Sequence, residues 1–245
     1  MFIFIRLLLA HFIGDYPLQF NSIYALKFKG LKGVVPHTLI VVISFIILSW
    51  PYLRLPGLWG FIAFIGITHL FQDWIKVKWK TIKEGNYFWF YLLDQLLHIA
   101  GIMVVFLTGL KNLQPPKYAP DFMISIYNND AAIIYLIAII FATYNGLYMI
   151  SNFKKTFLRI NYIYPSFERG YGMLERATVV TIFFLDGLFF FLIPFVFFIR
   201  PLVFLLGKNR LKINKEFISA SEMALSWVVA IASGIGLYVI MQRLI

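Results

Sequence analysis

The sequence predicts an all-α, polytopic membrane helix bundle with seven or eight membrane segments and its N-terminus outside. Three observations carry this. Of 245 residues, 61% are hydrophobic and only 13% are charged, against roughly 25% charged in soluble domains. The apolar residues gather in runs of about 20, the length a helix needs to cross about 30 Å of hydrocarbon. The Lys and Arg residues fall mostly in the links between those runs, as the positive-inside rule requires.

Taken in order, the first segment spans 3–21 and carries His11 and Asp15, polar residues that the apolar core of a cleaved signal peptide would not hold. Segments follow at 34–52, 57–75, 87–109 and 131–150. The block 174–206 is long for one span. A break near Asp186-Gly187, or at Pro194, would divide it into two short or re-entrant helices, tolerated where protein or water covers the irregular backbone. The last span is 219–242.

Link charge orients these segments. Lys27, Lys29 and Lys32 fill 22–33; Lys76, Lys78, Lys80 and Lys83 fill 76–86; Lys154, Lys155, Arg159 and Arg169 fill 151–172. The alternate links are poor or balanced, with Arg54 in one and Lys111 and Lys117 against Asp121 and Asp130 in the other. The basic links are therefore expected in the cytoplasm. Only a break within 174–206 returns Lys208, Arg210, Lys212 and Lys215 to that side. The expected organisation is a four-helix half at 1–110 and a C-terminal transmembrane half at 111–245.

The net charge of +11 would point to nucleic acid in a soluble protein. Here topology and anionic lipid headgroups account for it, so the expected partners are the lipid bilayer and its headgroups, not nucleic acid. An oligomer or a larger membrane complex stays open. The chain has no cysteine, which removes disulfides, thiolate ligands and thiol catalysis. Glycine-rich phosphate loops and serine nucleophile elbows are absent as well.

All four histidines lie in the first 98 residues, and three have an aspartate four positions away: His11 with Asp15, His69 with Asp73, and Asp94 with His98. Residues four apart share a helix face, so each pair can act as a two-ligand clip, with His37 near the start of its own segment as a further ligand. The bland alternative is a hydrogen-bonded pair. At 1.5 Å per residue, Asp15, His37, Asp73 and Asp94 fall within about 5 to 12 Å of the cytoplasmic edge, with His11, His69 and His98 deeper in the same half. Ionisable groups in a membrane are costly and functional by default.

The candidate metal ligands are thus His11, Asp15, His37, His69, Asp73, Asp94 and His98, enough for one or two divalent transition-metal ions. Zinc is expected first, with manganese or iron as alternatives. Asp15, Asp73 and Asp94 are the candidate catalytic carboxylates, and Gln19 and Gln95 could orient ligands from behind. In the second half, Glu175, Arg176 and Glu222 read as a mutual ion pair, or Glu175 and Arg176 as groups that reach substrate. Lys154, Lys155 and Arg159 read as lipid-facing charge.

Ala10-His11-Phe12-Ile13-Gly14-Asp15-Tyr16 and Thr68-His69-Leu70-Phe71-Gln72-Asp73-Trp74 match as small, His, apolar, apolar, any, Asp, aromatic, 58 residues apart. Two related hairpins of one orientation follow from this repeat. The run Leu9 to Gln19, then His37, His69 to Asp73 and Asp94-Gln95-Leu96-Leu97-His98, resembles the bacterial membrane family known as domain of unknown function 3307. That resemblance covers roughly residues 3–110. It implies a multi-pass protein of the bacterial cytoplasmic (inner) membrane, similar in pattern to metal-dependent hydrolases there and more distantly to zinc-dependent phospholipase C and P1-type nucleases.

The expected function is a membrane-embedded metal-dependent hydrolase acting on a lipid-linked or headgroup phosphoester at the cytoplasmic face. Two alternatives stand beside it: a divalent metal or proton transporter, and a scaffold or subunit of a membrane assembly whose metal or polar cluster is structural.

Overall fold

The computed structural model describes residues 1–80, 85–116 and 120–244. The side chains of Lys80, Lys83 and Lys117, counted above among the link charges, lie outside what is described. Among the described residues the regular elements are all helical. Six helices are long and apolar enough to cross a membrane: Leu31–Leu48, Pro56–Lys78, Tyr87–Leu107, Asp130–Leu158, Gly187–Gly207 and Ala220–Arg243. The chain is a multi-pass membrane protein. It forms two compact units, Met1–Ile137 and Ala138–Ile245, so the first takes in more of the chain than the expected 1–110.

In the first unit, α1 (Phe2–Asp15) has only 14 residues, about 21 Å at 1.5 Å each. The expected 3–21 span is therefore cut short. Pro17 disfavours helical geometry at the residue before it, and the helix ends where Tyr16 N–H bonds Phe12 O. The short α2 (Asn21–Lys27) occupies what read as a plain link. Gly30, at φ 84°, makes the turn into α3 (Leu31–Leu48) in a region where only glycine is at ease.

The segment α3 lies antiparallel to both α1 and α4 (Pro56–Lys80). Gly14 faces Val41 while Asp15 faces His37, and Gly66 faces Val42 while His69 faces His37. Gly14 is required there, since a Cβ would lie 2.9 Å from the Val41 Cα. The two repeat segments, on α1 and α4, hence run in the same direction. Antiparallel to α4 comes α5 (Tyr87–Met103), with Gly101 near Ile65 and Asp94 near Lys76.

The apolar core of this unit, including Ile3, Leu7, Phe45, Phe61 and Ile102, occupies the end away from Lys27 and Lys76. That end is closed by α6 (Asp121–Asn128) and the start of α7 (Asp130–Ile140). The buried Arg6 guanidinium donates to Tyr127 O and Phe2 O and pairs with Asp130 at 2.6 Å.

In the second unit the helix that began as α7 passes through a π turn at Phe141–Asn145, α8 (Gly146–Phe153) and a second π turn at Lys154–Leu158. The segment α9 (Ser166–Leu185) ends at Asp186, whose φ of 61° is strained for a non-glycine residue. Its carboxylate accepts the Gly187 N–H at 2.5 Å. The break thus falls at Asp186-Gly187, and α10 (Ile193–Gly207) returns antiparallel, with Arg200 on Glu175. Both basic links of this unit come to one end: Glu168 accepts from Asn214 N at 2.8 Å, and Lys154 pairs with Glu216 at 2.5 Å. The last helix is α11 (Ala220–Leu244).

Candidate metal centre

All seven expected ligands of the first unit meet in one buried cluster. Each is at most 8% exposed. The i, i+4 clips place His11 and Asp15 on one face of α1 and His69 and Asp73 on one face of α4, and the antiparallel crossings bring His37 from α3 and Asp94 and His98 from α5 against them. Ring contacts tie the imidazoles together: His69 stacks on His98 with centroids 4.4 Å apart, and His37–His69 and His11–His98 each stand at 5.1 Å.

Four atoms form a compact figure. His37 Nε2 lies 3.0 Å from Asp15 Oδ1, 3.1 Å from His69 Nε2 and 3.4 Å from Asp73 Oδ2. His69 Nε2 lies 3.4 Å from Asp15 Oδ1 and 3.5 Å from Asp73 Oδ2. All five are near the separation of about 3.4 Å that two ligands about 2.1 Å from one zinc ion would have. Two imidazoles supply at most one N–H each at these atoms, so at most two of the five contacts can be hydrogen bonds.

Beside this figure His11 Nε2 and His98 Nε2 have no hydrogen-bond partner, and within it Asp73 Oδ2 has none. Buried groups of this kind cost free energy unless something satisfies them. The donors overlap in three sets that could hold an ion: His11, Asp15 and His69; His37, His69 and Asp73; and Asp73, Asp94 and His98, with ligand atoms within 4.8 Å of one another in each. Asp73 is common to the last two.

Two lysines that read only as topological charge enter the site. Lys27 Nζ stands 2.8 Å from Asp73 Oδ2, out of hydrogen-bond alignment, and Lys76 Nζ donates to Asp94 Oδ2 at 2.5 Å. Lys76 was legible as the third member of an i, i+4, i+7 row with His69 and Asp73. Lys27 was not, because its position depends on the turn at Gly30. Both glutamines act from behind the ligands. Gln95 donates to Asp94 Oδ2 at 3.0 Å and accepts from Tyr16 OH at 2.7 Å. In the amide orientation that satisfies both neighbours, Gln19 donates to Asp15 O at 3.2 Å and accepts from Lys27 Nζ at 3.0 Å.

Glu175 and Arg176 lie in the second unit, engaged in a buried network of different pairing from the one expected. Glu175 takes a bidentate bond from Arg200, at 2.7 and 2.8 Å. Arg176 donates to Ala142 O and Thr143 O, carbonyls within the first π turn, and to Ser226. The partner of Glu222 is Lys154, at 2.8 Å, so Lys154 is buried and not lipid-facing. Arg200 was missed as a partner because a break within 174–206 turns the chain back without fixing the register of α10 on α9. Tyr164 donates to Glu222 at 2.7 Å; burial first, then the Glu222 charge, raises its phenol above the ordinary value.

The fold and this cluster define a multi-pass helical membrane protein with a buried His/Asp centre near one end of its first unit. Residues 3–120 match the family model described as Protein of unknown function (DUF3307), in line with the resemblance carried by the His/Asp pattern. No curated protein and no solved structure matches the chain.

Proposed function

We propose that the protein is a metal-dependent hydrolase of the bacterial inner membrane that cleaves a lipid-linked or headgroup phosphoester at the cytoplasmic face. The observation that carries this reading is the convergence of Asp15, Asp73 and His69 on His37, at 3.0 to 3.4 Å from its Nε2. Two nitrogens and two oxygens suit zinc, with manganese or iron as alternatives. A divalent ion there supplies Lewis-acid polarisation of a phosphoryl oxygen and acidifies water.

The protein's own residues do the rest. Three carboxylates against the ammoniums of Lys27 and Lys76 leave one net negative charge when the imidazoles are neutral. One divalent ion turns this into one net positive charge, which attracts a phosphate anion. Asp94, outside the four-atom set and oriented by Gln95 and Lys76, is the carboxylate placed to take a proton, and His11 and His98 can hold or pass it. With Asp73 as a bridge, Asp94 and His98 can instead hold a second ion.

A structural polar cluster is the second reading, favoured by the lysines that already neutralise Asp73 and Asp94. Metal analysis separates the two. Purified protein should carry one or two transition-metal ions per chain, lost in the His37→Ala/His69→Ala double variant, and should hydrolyse bis(p-nitrophenyl) phosphate. Metal-free wild type, or a double variant with unchanged metal content, would overturn the proposal.

A further inference from the structure

A groove of about 400 Å³ runs between α3 and α4, within the volume range of pockets that hold small ligands. Val35, Thr38 and Leu70 line one end, and Ile46 and Trp59 line the other. Its polar groups are already spent: Thr38 Oγ1 donates to Val34 O at 3.3 Å, and Trp59 Nε1 donates to Leu53 O at 2.8 Å. The groove therefore offers an occupant hydrocarbon contact alone. Gly66 makes it a recess, since a Cβ there would come within 2.9 Å of the Val42 side chain.

The first end is level with the metal centre. Val35 and Thr38 flank His37 in sequence, and Leu70 follows His69. From there the groove runs toward the end of the unit opposite Lys27 and Lys76. A lipid lies in a leaflet in the same sense, headgroup at the interface and chain toward the midplane. The 11 residue steps from Trp59 to Leu70 rise about 16 Å, which an extended chain of about 14 carbons covers, each C–C bond of about 1.5 Å advancing about 1.3 Å along the zigzag.

We infer that this groove is a binding site for one hydrocarbon chain of the substrate, so that the enzyme selects a long-chain phosphoester and sets its phosphoryl group beside His37 and His69. The inference rests on the hydrolase reading for the word substrate, while chain binding is measurable apart from hydrolysis. Trp59 sits where the chain should end, and Ala63, on the exposed side of the groove, can be enlarged without entering the core.

The test uses the full chain in phosphatidylcholine nanodiscs, loaded with zinc, and ω-bromododecyl phosphate as probe. Bromine quenching of Trp59, taken as the difference between wild type and Trp59→Phe, should saturate and be reversed by dodecyl phosphate. Ala63→Phe should raise the half-saturation concentration about tenfold, the equivalent of roughly two methylenes excluded from the groove. Quenching that rises without saturation, as for a probe merely dissolved in the bilayer, or a half-saturation unmoved by Ala63→Phe, overturns the inference. If bis(p-nitrophenyl) phosphate is still hydrolysed, that failure belongs to the groove alone. Saturable, Ala63-sensitive binding without hydrolysis of any phosphoester supports chain binding and sinks the hydrolase reading.

Discussion

Lys27→Met separates a metal centre from a closed polar cluster, because Lys27 and an ion would compete for one atom. Lys27 Nζ lies 2.8 Å from Asp73 Oδ2, the same oxygen that forms a corner of the four-atom figure, and the Asp73 side chain is only 2% exposed. Without an ion, the ammonium is the nearest counter-charge. Removing one partner of a buried pair costs about 3–5 kcal/mol. At about 2–4 °C per kcal/mol for a chain of this size, the metal-free variant should melt about 10 °C below metal-free wild type. Zinc should reverse the order of affinities. With the competing ammonium gone, about 3 kcal/mol returns as binding, roughly a hundredfold tighter zinc. Protein stripped with a chelator and melted by tryptophan fluorescence with and without zinc measures the first effect, and competition against a zinc-sensitive dye measures the second. If zinc stabilises the variant no more than wild type, Asp73 is not a ligand and the cluster is a polar network closed by its lysines.

Three further substitutions, at two places, test the scaffold. In the second unit, the Glu175 and Arg200 side chains are each 1% exposed, so Arg200→Met should cost about 3–5 kcal/mol by stranding a carboxylate, and adding Glu175→Leu should recover much of it; a thermal double-mutant cycle reads the coupling. Gly14→Leu should cost about 1–3 kcal/mol through overpacking, because the Val41 backbone cannot yield to a Cβ 2.9 Å away. As Asp15 is the next residue, metal content measured on the same preparation should fall with stability, and a fully loaded, fully stable variant would refute the close crossing.

How much was legible depended on the range over which each signal acts. Helical phase and hydrophobic run length are local, and they predicted the bundle and the clips, while link charge required a break within 174–206 that the sequence left open between Asp186-Gly187 and Pro194. They also brought seven ligands to one place, because link charge fixed their level along the helix axes before any packing was known. The signals failed where a short-range event overrode a long apolar run. Pro17 ended α1 at Asp15, and the segment after it became a turn and α2, which carried Lys27 into the site. They failed again where pairing is set by tertiary approach. Arg6 with Asp130 and Arg200 with Glu175 are separated by too many residues for any spacing rule to join them.

The repeat bears most directly on chemistry, because the structure uses its two copies unequally. Within α4, His69 and Asp73 both enter the four-atom figure. Within α1 only Asp15 does, while His11 stands 3.7 Å from the other carboxylate oxygen, with its Nε2 unpartnered. His37 from α3 joins Asp15 and His69, and α5 of the second hairpin adds Asp94 and His98 beside Asp73. In a structural polar cluster a buried, unsatisfied imidazole nitrogen costs stability. A hydrolytic centre needs such groups, because a proton must leave water and another must reach the departing oxygen. On the hydrolase proposal, the unequal clips leave His11 and His98 to move protons beside the four converging donors.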